Sequence, residues 1–358
     1  MKEKETIIWT CGLFNIVNDE IWFVPYEHNI LCRYSIRKNV IIENVILNVN
    51  LFQIESFDIS YRSGNKVFLI PGFEQSIHVF DIEKNKMNCT GISEYKGVGE
   101  KFLLCHQYND WIYLFPSFYD KIIRINTNTM VVEEIEPNKD KMCNHFNDID
   151  VNGSKAYLVN KTNEIYIFDF EKNKLGVEYR FTDEIELRTI SLWNDKLVVA
   201  NQEGKVFMCD LDKHNITPFA EYNMEFLSSY CIKSSLFLIP LLEKDYFIKV
   251  NLENKNMQKI QLCKKDKYKK WPHATFSRGA VFKEYLCLFS TQYRTLIIYN
   301  CITGEIIENF LNLELPNIDR NNLNSSFRDE IEKKKCIIEG NGQYSTLCRF
   351  IDFCIDNK

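Results

Sequence analysis

Polar residues able to do acid–base chemistry recur near the start of a sixteen-residue pattern that the chain repeats. In "HFNDIDVNGSKAYLVN", which begins at residue 145, the first four positions include His145, Asn147 and Asp148. The matching positions of other copies hold Asp58, Arg188 and Arg278. A histidine beside a carboxylate can move protons near neutral pH, and an arginine can hold an anion. These residues therefore predict a polar site, either catalytic or a hydrated channel whose charges neutralise one another.

A second stretch with binding chemistry is "CKKDKYKKWPHATF" at 263–276. It holds five lysines next to aromatic rings, and such ammonium groups can bind phosphate, a carboxylated glycan or an acidic protein. The alternative is a solvated basic loop. The ligand-binding candidates are therefore Asn147, Arg278, Lys267, Lys269, Lys270, Trp271 and His273.

Motifs for metals, cofactors and covalent catalysis are missing from the sequence. The six histidines share no short ligand spacing, and no Cys-x-x-Cys pair is present. No Gly-x-Ser-x-Gly elbow or Walker loop occurs, and "GVGEKF" at 97–102 lacks a glycine needed for a dinucleotide turn. We therefore predict neither a metal nor a cofactor.

Composition narrows the classes of partner and compartment. A formal charge of −5 and a pI near 5.8 disfavour nucleic acid as the main partner. The first residues, "MKEKETIIWT", contain no secretory apolar run, and no apolar segment is long enough to insert into a membrane. The 13 cysteines are odd in number and widely spaced, which indicates reduced thiols. The sequence predicts a cytoplasmic protein.

The repeated pattern occurs seven times without gaps. The copies start near residues 10, 56, 101, 145, 186, 225 and 275. The second position of each copy is nearly always large and apolar, which predicts a packing site; it holds Cys11, Phe57, Phe102, Phe146, Leu187, Phe226 and Phe276. Positions nine and ten are Asn-Asp, Gly-Asn or similar pairs in five copies, which are typical of tight hairpin turns. Each copy therefore predicts strand, turn, strand.

Two further strands follow each hairpin. "SIHVFDIEKNK" (76–86) and "EIYIFDFEKNK" (164–174) alternate apolar residues up to an Asp and a polar turn. Shorter runs such as "VVEEIE" and "EIIENF" then fit a fourth strand. Four antiparallel strands every 39 to 50 residues predict a unit that buries its faces only by stacking on its neighbours.

With these features the chain resembles the seven-bladed β-propeller repeat proteins over roughly residues 6 to 310. It lacks the Trp-Asp pair of WD repeats and the Gly-Gly pair of kelch repeats, so the resemblance is to the general bacterial class. It implies an all-β propeller of four-stranded antiparallel blades over 1–310. A two-domain β-sandwich is the alternative, although it does not require seven equivalent copies.

The C-terminal segment 311–358 follows a different pattern. "NSSFRDEIEKKK" and "STLCRFIDFCID" fit two helices packed on the propeller, with apolar residues on one face of the second. The alternative is that "TLCRFIDFCI" forms a late strand that closes the sheet.

Function follows from the fold only by analogy. The first hypothesis is a non-catalytic scaffold that binds a protein or a small polar or acidic ligand at the propeller rim and central opening. The second is a hydrolase, lyase or sugar isomerase with an active site in the axial pocket. Its catalytic candidates are His145, Asp58, Asp148 and Arg188.

Overall fold

The structure is a computed structural model of the 358-residue chain. It describes residues 6–7, 11–25, 29–47, 57–72, 76–92, 101–117, 119–136, 146–182, 185–241, 244–262, 276–290 and 295–313. The predicted C-terminal helices and the alternative late strand lie outside these residues, so the boundary at residue 310 remains a prediction.

The described residues form seven blades, each built from four consecutive antiparallel strands, which confirms the predicted β-propeller. After β1 (Thr6–Ile7) and β2 (Leu13–Phe14), blade 1 comprises β3 (Ile16–Val17), β4 (Glu20–Phe23), β5 (Ile30–Ser35) and β6 (Val40–Ile46). Blade 2 comprises β7 (Phe57–Ser63), β8 (Lys66–Pro71), β9 (Ser76–Asp81) and β10 (Lys86–Gly91). Blade 3 comprises β11 (Phe102–Tyr108), β12 (Trp111–Pro116), β13 (Ile122–Asn126) and β14 (Val132–Ile135).

The remaining blades repeat the same order. Blade 4 comprises β15 (Asp148–Asn152), β16 (Lys155–Val159), β17 (Glu164–Asp169) and β18 (Lys174–Arg180). Blade 5 comprises β19 (Leu187–Trp193), β20 (Lys196–Asn201), β21 (Lys205–Asp210) and β22 (Asn215–Glu221). Blade 6 comprises β23 (Phe226–Ile232), β24 (Ser235–Pro240), β25 (Tyr246–Asn251) and β26 (Met257–Gln261). Blade 7 comprises β27 (Ala280–Phe282), β28 (Tyr285–Ser290), β29 (Thr295–Asn300) and β30 (Ile306–Phe310), and β31 (Asn312–Leu313) pairs with β1.

The blades fall into two compact units. One contains blades 1, 2 and 7, and the other contains blades 3 to 6. In the first unit, β2 adds to the inner edge of blade 2 by pairing parallel to β7, which gives that sheet five strands.

The first hairpin of every blade turns at a residue in the left-handed region. These residues, all at position nine of the sequence pattern, are Asn18, Gly64, Asn109, Gly153, Asn194, Lys233 and Lys283. Glycine and asparagine adopt this conformation easily, as the pattern predicted. Lys233 (φ 56°) and Lys283 (φ 54°) adopt it although their type gives no such signal. Their turn conformation therefore follows from the register of the repeat.

The turn between the third and fourth strands also repeats in all seven blades. A Ser, Asp or Asn at the end of the third strand accepts a hydrogen bond from the backbone N–H three residues later. The acceptors are Ser35, Asp81, Asn126, Asp169, Asp210, Asn251 and Asn300. This bond explains why the apolar alternation of the third strand always ends in a short polar residue.

The large apolar residues at position two are buried in every blade, with at most 2% of each exposed. Phe146 packs among Phe115 of blade 3 and Leu158 of blade 4, and Phe226 joins residues of blades 5 and 6 in the same way. Cys11 lies in a cluster shared by blades 1 and 7. The predicted packing between adjacent blades is therefore confirmed at these positions.

Two expectations from the sequence, on membrane insertion and on the thiols, can be compared with the described residues. No helix there is long and apolar enough to cross a membrane. Eight cysteines are described as free thiols, five of them buried.

Candidate functional site

The predicted site residues fall into three groups. His145, Lys267, Lys269, Lys270, Trp271 and His273 lie outside the described residues. Asp58 and Arg278 belong to the unit of blades 1, 2 and 7, whereas Asn147, Asp148 and Arg188 belong to the unit of blades 3 to 6. Their catalytic and ligand-binding roles remain predictions, but the structure defines bonds of Asn147, Asp148 and Arg188.

Asp148 joins the inner strand of blade 4 to that of blade 5. Its Oδ2 accepts a hydrogen bond of 3.1 Å from the backbone N–H of Ile190, and only 6% of the residue is exposed. The neighbouring Asn147 Nδ2 donates to the carbonyl oxygen of Leu187 at 3.5 Å. Both side chains therefore supply cross-blade bonds that a sheet would otherwise make through its backbone.

Asp150, two residues further along β15, repeats this arrangement. Its Oδ2 accepts from the N–H of Leu192 at 2.6 Å, and its Oδ1 accepts from its neighbour Val151 at 2.8 Å. Residues two apart in a strand share a face, so Asp148 and Asp150 both face blade 5. Burial nevertheless raises the pKa of Asp150, since loss of water outweighs the two backbone donors.

Arg188 makes ion pairs with two glutamates. Its Nη2 lies 2.9 Å from Glu225 Oε1 and 3.6 Å from Glu186 Oε2. The pair with Glu225 joins blade 5 to blade 6, and both side chains are largely buried. Arg188 is therefore neutralised by carboxylates other than those of Asp58 and Asp148.

Small polar side chains also join blades 5 and 6, as the Arg188–Glu225 pair does. Ser191 Oγ and Ser229 Oγ lie 2.8 Å apart between blades 5 and 6. Burial, with a smaller effect from the Asp150 charge, raises the pKa of the neighbouring Cys231 thiol. Because a thiolate is the reactive form of cysteine, Cys231 is suited to packing and not to nucleophilic attack.

Asp58, in the other unit, is held in a tight pocket between glycines. Only 3% of the residue is exposed. A Cβ added at Gly72 would lie 2.2 Å from Asp58 Oδ2, and one added at Gly12 would lie 1.8 Å from the Asp58 carbonyl oxygen. Gly12 and Gly72 are therefore the residues that allow Asp58 to be buried here. The other candidate in this unit, Arg278, is half-buried.

The sequence analysis missed two residues that act like Asp148. Asn15 bridges blades 1 and 2, since its Nδ2 donates to the Arg62 carbonyl at 2.8 Å and its Oδ1 accepts from the Arg62 N–H at 2.7 Å. Asn15 and Asp150 both occupy position six of the repeated pattern. The sequence signal that could have found them is a polar residue at position six, which shares a face of the predicted strand with position four.

The comparisons with known proteins support the architecture. No protein-family model matches the chain, and no curated protein matches it. Among solved structures, the computationally designed Ika8 protein matches at a TM-score of 0.57 and 6% identity, covering 86% of this chain and 88% of that one. Hsv2 of Kluyveromyces lactis matches at 0.56 and 10% identity, covering 87% and 100%. A Hsv2 variant with loop 6CD replaced by a Gly-Ser linker gives the same values. At these identities the similarity shows the fold alone.

Proposed function

We propose that this protein is a non-catalytic binding scaffold that recognises a protein or an acidic ligand at the propeller rim. The Lys-rich segment 264–270, with Trp271 and His273, is the recognition element of this proposal. Propellers often present a binding surface, and the proposal assigns that surface to this segment.

The observation that carries the proposal is that two of the described acid–base candidates, Asp148 and Arg188, already make structural bonds. Asp148 accepts a hydrogen bond from the backbone of the next blade, and Arg188 is paired with Glu186 and Glu225. Asp58 is buried against two glycines. A catalytic group must reach its substrate within hydrogen-bond distance, and the side chains of Asp148 and Arg188 are bonded elsewhere.

Local charge supports an acidic ligand. Residues 225–275 contain ten lysines and five acidic residues, whereas the whole chain has a formal charge of −5. A basic region in an acidic protein can attract anions without causing general binding to polyanions.

A triple substitution tests the proposal. Lys267, Lys269 and Lys270 are changed to Gln, and the matched control changes Lys155, Lys161 and Lys174, three exposed lysines of blade 4. Wild type and both variants are titrated with inorganic pyrophosphate, a heparin oligosaccharide and polyglutamate at several salt concentrations. We expect the wild type to bind at least one probe, more weakly as the screening length falls towards about 8 Å at physiological salt.

The two variants should then differ. The first triple variant should bind more weakly at an unchanged melting temperature, because the proposal places these ammonium groups in solvent, where such groups add little to stability. The control should bind like wild type. Equal affinities of all three proteins at every ionic strength would remove the Lys-rich segment from the functional account.

A further inference from the structure

The outermost strand of blade 6 presents an open and regular edge. β26 pairs only with β25 among the described strands, and its five residues pair in unbroken register from Val250–Met257 to Tyr246–Gln261. All of its residues except Ile260 are exposed. The backbone N–H and C=O groups on its outer side are therefore placed to pair with another extended chain.

The charge within β26 is positive, and the turn before the strand holds Lys255 together with Glu253. Lys255 and Lys259 are exposed, and neither has a carboxylate partner within the described ranges. The ammonium group of Lys259 lies 4.9 Å from the centre of the Tyr246 ring, and that of Lys255 lies 5.1 Å from that of Phe219. The first contact holds the Lys259 charge over its own blade, and the second holds the Lys255 charge against β22 of blade 5, without neutralising either charge.

The equivalent turns of other blades neutralise their lysines. Lys84 and Lys172 lie 3.1 and 3.0 Å from the Asp three residues before them, Asp81 and Asp169. Blade 6 has Asn251 at this position, and its Oδ1 still accepts the turn hydrogen bond from Asn254 N at 3.0 Å. The turn is thus preserved with a neutral residue at its first position, while Glu253 remains exposed within it and Lys255 stands one residue later than Lys84 and Lys172 do in their turns.

The outer strands of blades 1, 3, 4 and 5 differ from β26 in geometry or charge, whereas β10 of blade 2 is also regular and carries the exposed Lys86. A register irregularity interrupts the outermost pairing of blades 1, 4 and 5, and β22 also contains Pro218. Bulges and proline hinder the addition of a further strand. β14 is regular but carries Glu133 and Glu134. β26 thus shares regular geometry and one lysine with β10, but Lys84 in the turn before β10 is paired with Asp81, whereas Lys255 before β26 has no such partner in the described ranges.

The charge decides which occupant fits the edge. A second copy of this strand would bring lysines against lysines, and like charges facing each other destabilise strand pairs. An acidic extended segment gains both backbone hydrogen bonds and charge pairs. We propose that the β26 edge binds an extended acidic segment of a partner protein by strand addition, with its carboxylates next to Lys255 and Lys259. This inference rests on the proposed function as a scaffold.

Fluorescence anisotropy with a labelled peptide of alternating Glu and Val tests the site. The variant Lys255→Glu/Lys259→Glu should bind at least about tenfold more weakly, because attraction becomes repulsion. The matched control is Lys86→Glu/Lys174→Glu, which makes the same charge change at the first residues of β10 and β18. The control should stay within about twofold of wild type. A peptide of alternating Lys and Val should not bind.

Hydrogen exchange separates strand addition from general attraction. The bound Glu-Val peptide should protect backbone amides within Met257–Gln261 and leave those of Lys86–Gly91 unchanged. Equal weakening by both double variants, or binding without protection of β26, would overturn the inference.

Failure of this site is distinguishable from failure of the scaffold proposal. If Lys255→Glu/Lys259→Glu binds the peptide like wild type while the Lys267, Lys269 and Lys270 variant does not, the β26 site is wrong and the scaffold proposal stands. If wild type binds neither this peptide nor any acidic probe, both fail.

Discussion

At the seams, the contacts between the inner strands of neighbouring blades, backbone groups are bonded by side chains. The seam between blades 1 and 2 and the seam between blades 4 and 5 use different side chains for this. Each inner strand leaves backbone groups facing the next blade, and these groups need partners. Asn15 satisfies both the N–H and the C=O of Arg62 with one neutral amide. Asp148 and Asp150 satisfy the N–H groups of Ile190 and Leu192 with two carboxylates.

The difference is one of charge and not of geometry. An amide both donates and accepts, whereas an ionised carboxylate only accepts. The cross-blade bonds of Asn15 therefore contain no titrating group, although the ion pair of Glu20 with Arg62 also joins blades 1 and 2, while the second seam contains Asp150, whose pKa is raised by burial. The same position of the repeat can thus be insensitive or sensitive to pH, depending on one atom of the side chain.

The largest expected effect comes from truncating the buried apolar residue at position two of the repeated pattern. Phe146→Ala should lower the free energy of unfolding by about 3 to 5 kcal/mol, because it leaves a cavity between blades 3 and 4. Cys11→Ala, at the same position of the first copy, removes a single buried sulfur and should cost about 1 kcal/mol. Urea denaturation measures both values. Similar small costs for the two variants would contradict the shared packing role.

Removal of the bridging side chains should have an intermediate effect. Asp148→Ala leaves the buried N–H of Ile190 without its partner and should cost about 1 to 3 kcal/mol. Asn15→Ala removes two bonds to Arg62 and should cost a similar amount. Denaturation at neutral pH measures both, with Lys155→Ala, an exposed lysine of blade 4, as the control. Costs no larger than that control would show that the cross-blade bonds add nothing.

The smallest effect, and the most specific one, is on pH dependence. A carboxyl whose pKa is raised on folding stabilises the protein below its unfolded pKa of about 3.9, and this contribution is lost as pH rises through the folded pKa. The wild type should therefore lose stability relative to Asp150→Asn between about pH 4 and neutral pH.

Paired denaturation series measure this difference. Asp81, Asp169 and Asp210 have lowered pKa values, because backbone and lysine hydrogen bonds at their turns favour the charged form. Their opposite contribution is common to both proteins and cancels in the difference. The free energy of unfolding of Asn15→Ala should change with pH in the same way as that of wild type. If the stability of Asp150→Asn and that of wild type changed with pH in the same way, the pKa of the Asp150 carboxyl would not be raised on folding.

The repeated pattern predicted the fold because packing and turn signals coincide in it. The buried Phe146 and the left-handed Gly153 stand seven residues apart in one copy, and the same spacing separates Phe226 from Lys233. Lysine alone gives no turn signal, but its place in the pattern does. Repetition thus supplied information that single residues lacked.

The candidate site was less predictable, because a sequence gives the types of polar residues but not their partners. Asp148 and Arg188 are both suited to catalysis, yet one accepts a backbone hydrogen bond and the other pairs with Glu225. Which residue is nearest depends on the offset between neighbouring blades, and no periodicity within one copy encodes that offset. The charge at β26 was hidden for the same reason, since ion pairing of lysines is decided across strands.

The contacts between blades 1 and 7 have a consequence for synthesis of the chain. Asn309 Nδ2 donates to the Tyr34 hydroxyl at 2.8 Å across 275 residues, and the apolar cluster of blade 1 is completed by residues of blade 7. At translation rates of about 5 to 20 residues per second, blade 1 waits roughly 15 to 55 seconds before these residues exist. During that interval Phe14 and Phe23 lack the ring contacts that Phe289 of blade 7 supplies. Blade 2 can cover the other face of blade 1 early, so the face towards blade 7 is the part of blade 1 that most needs protection from aggregation.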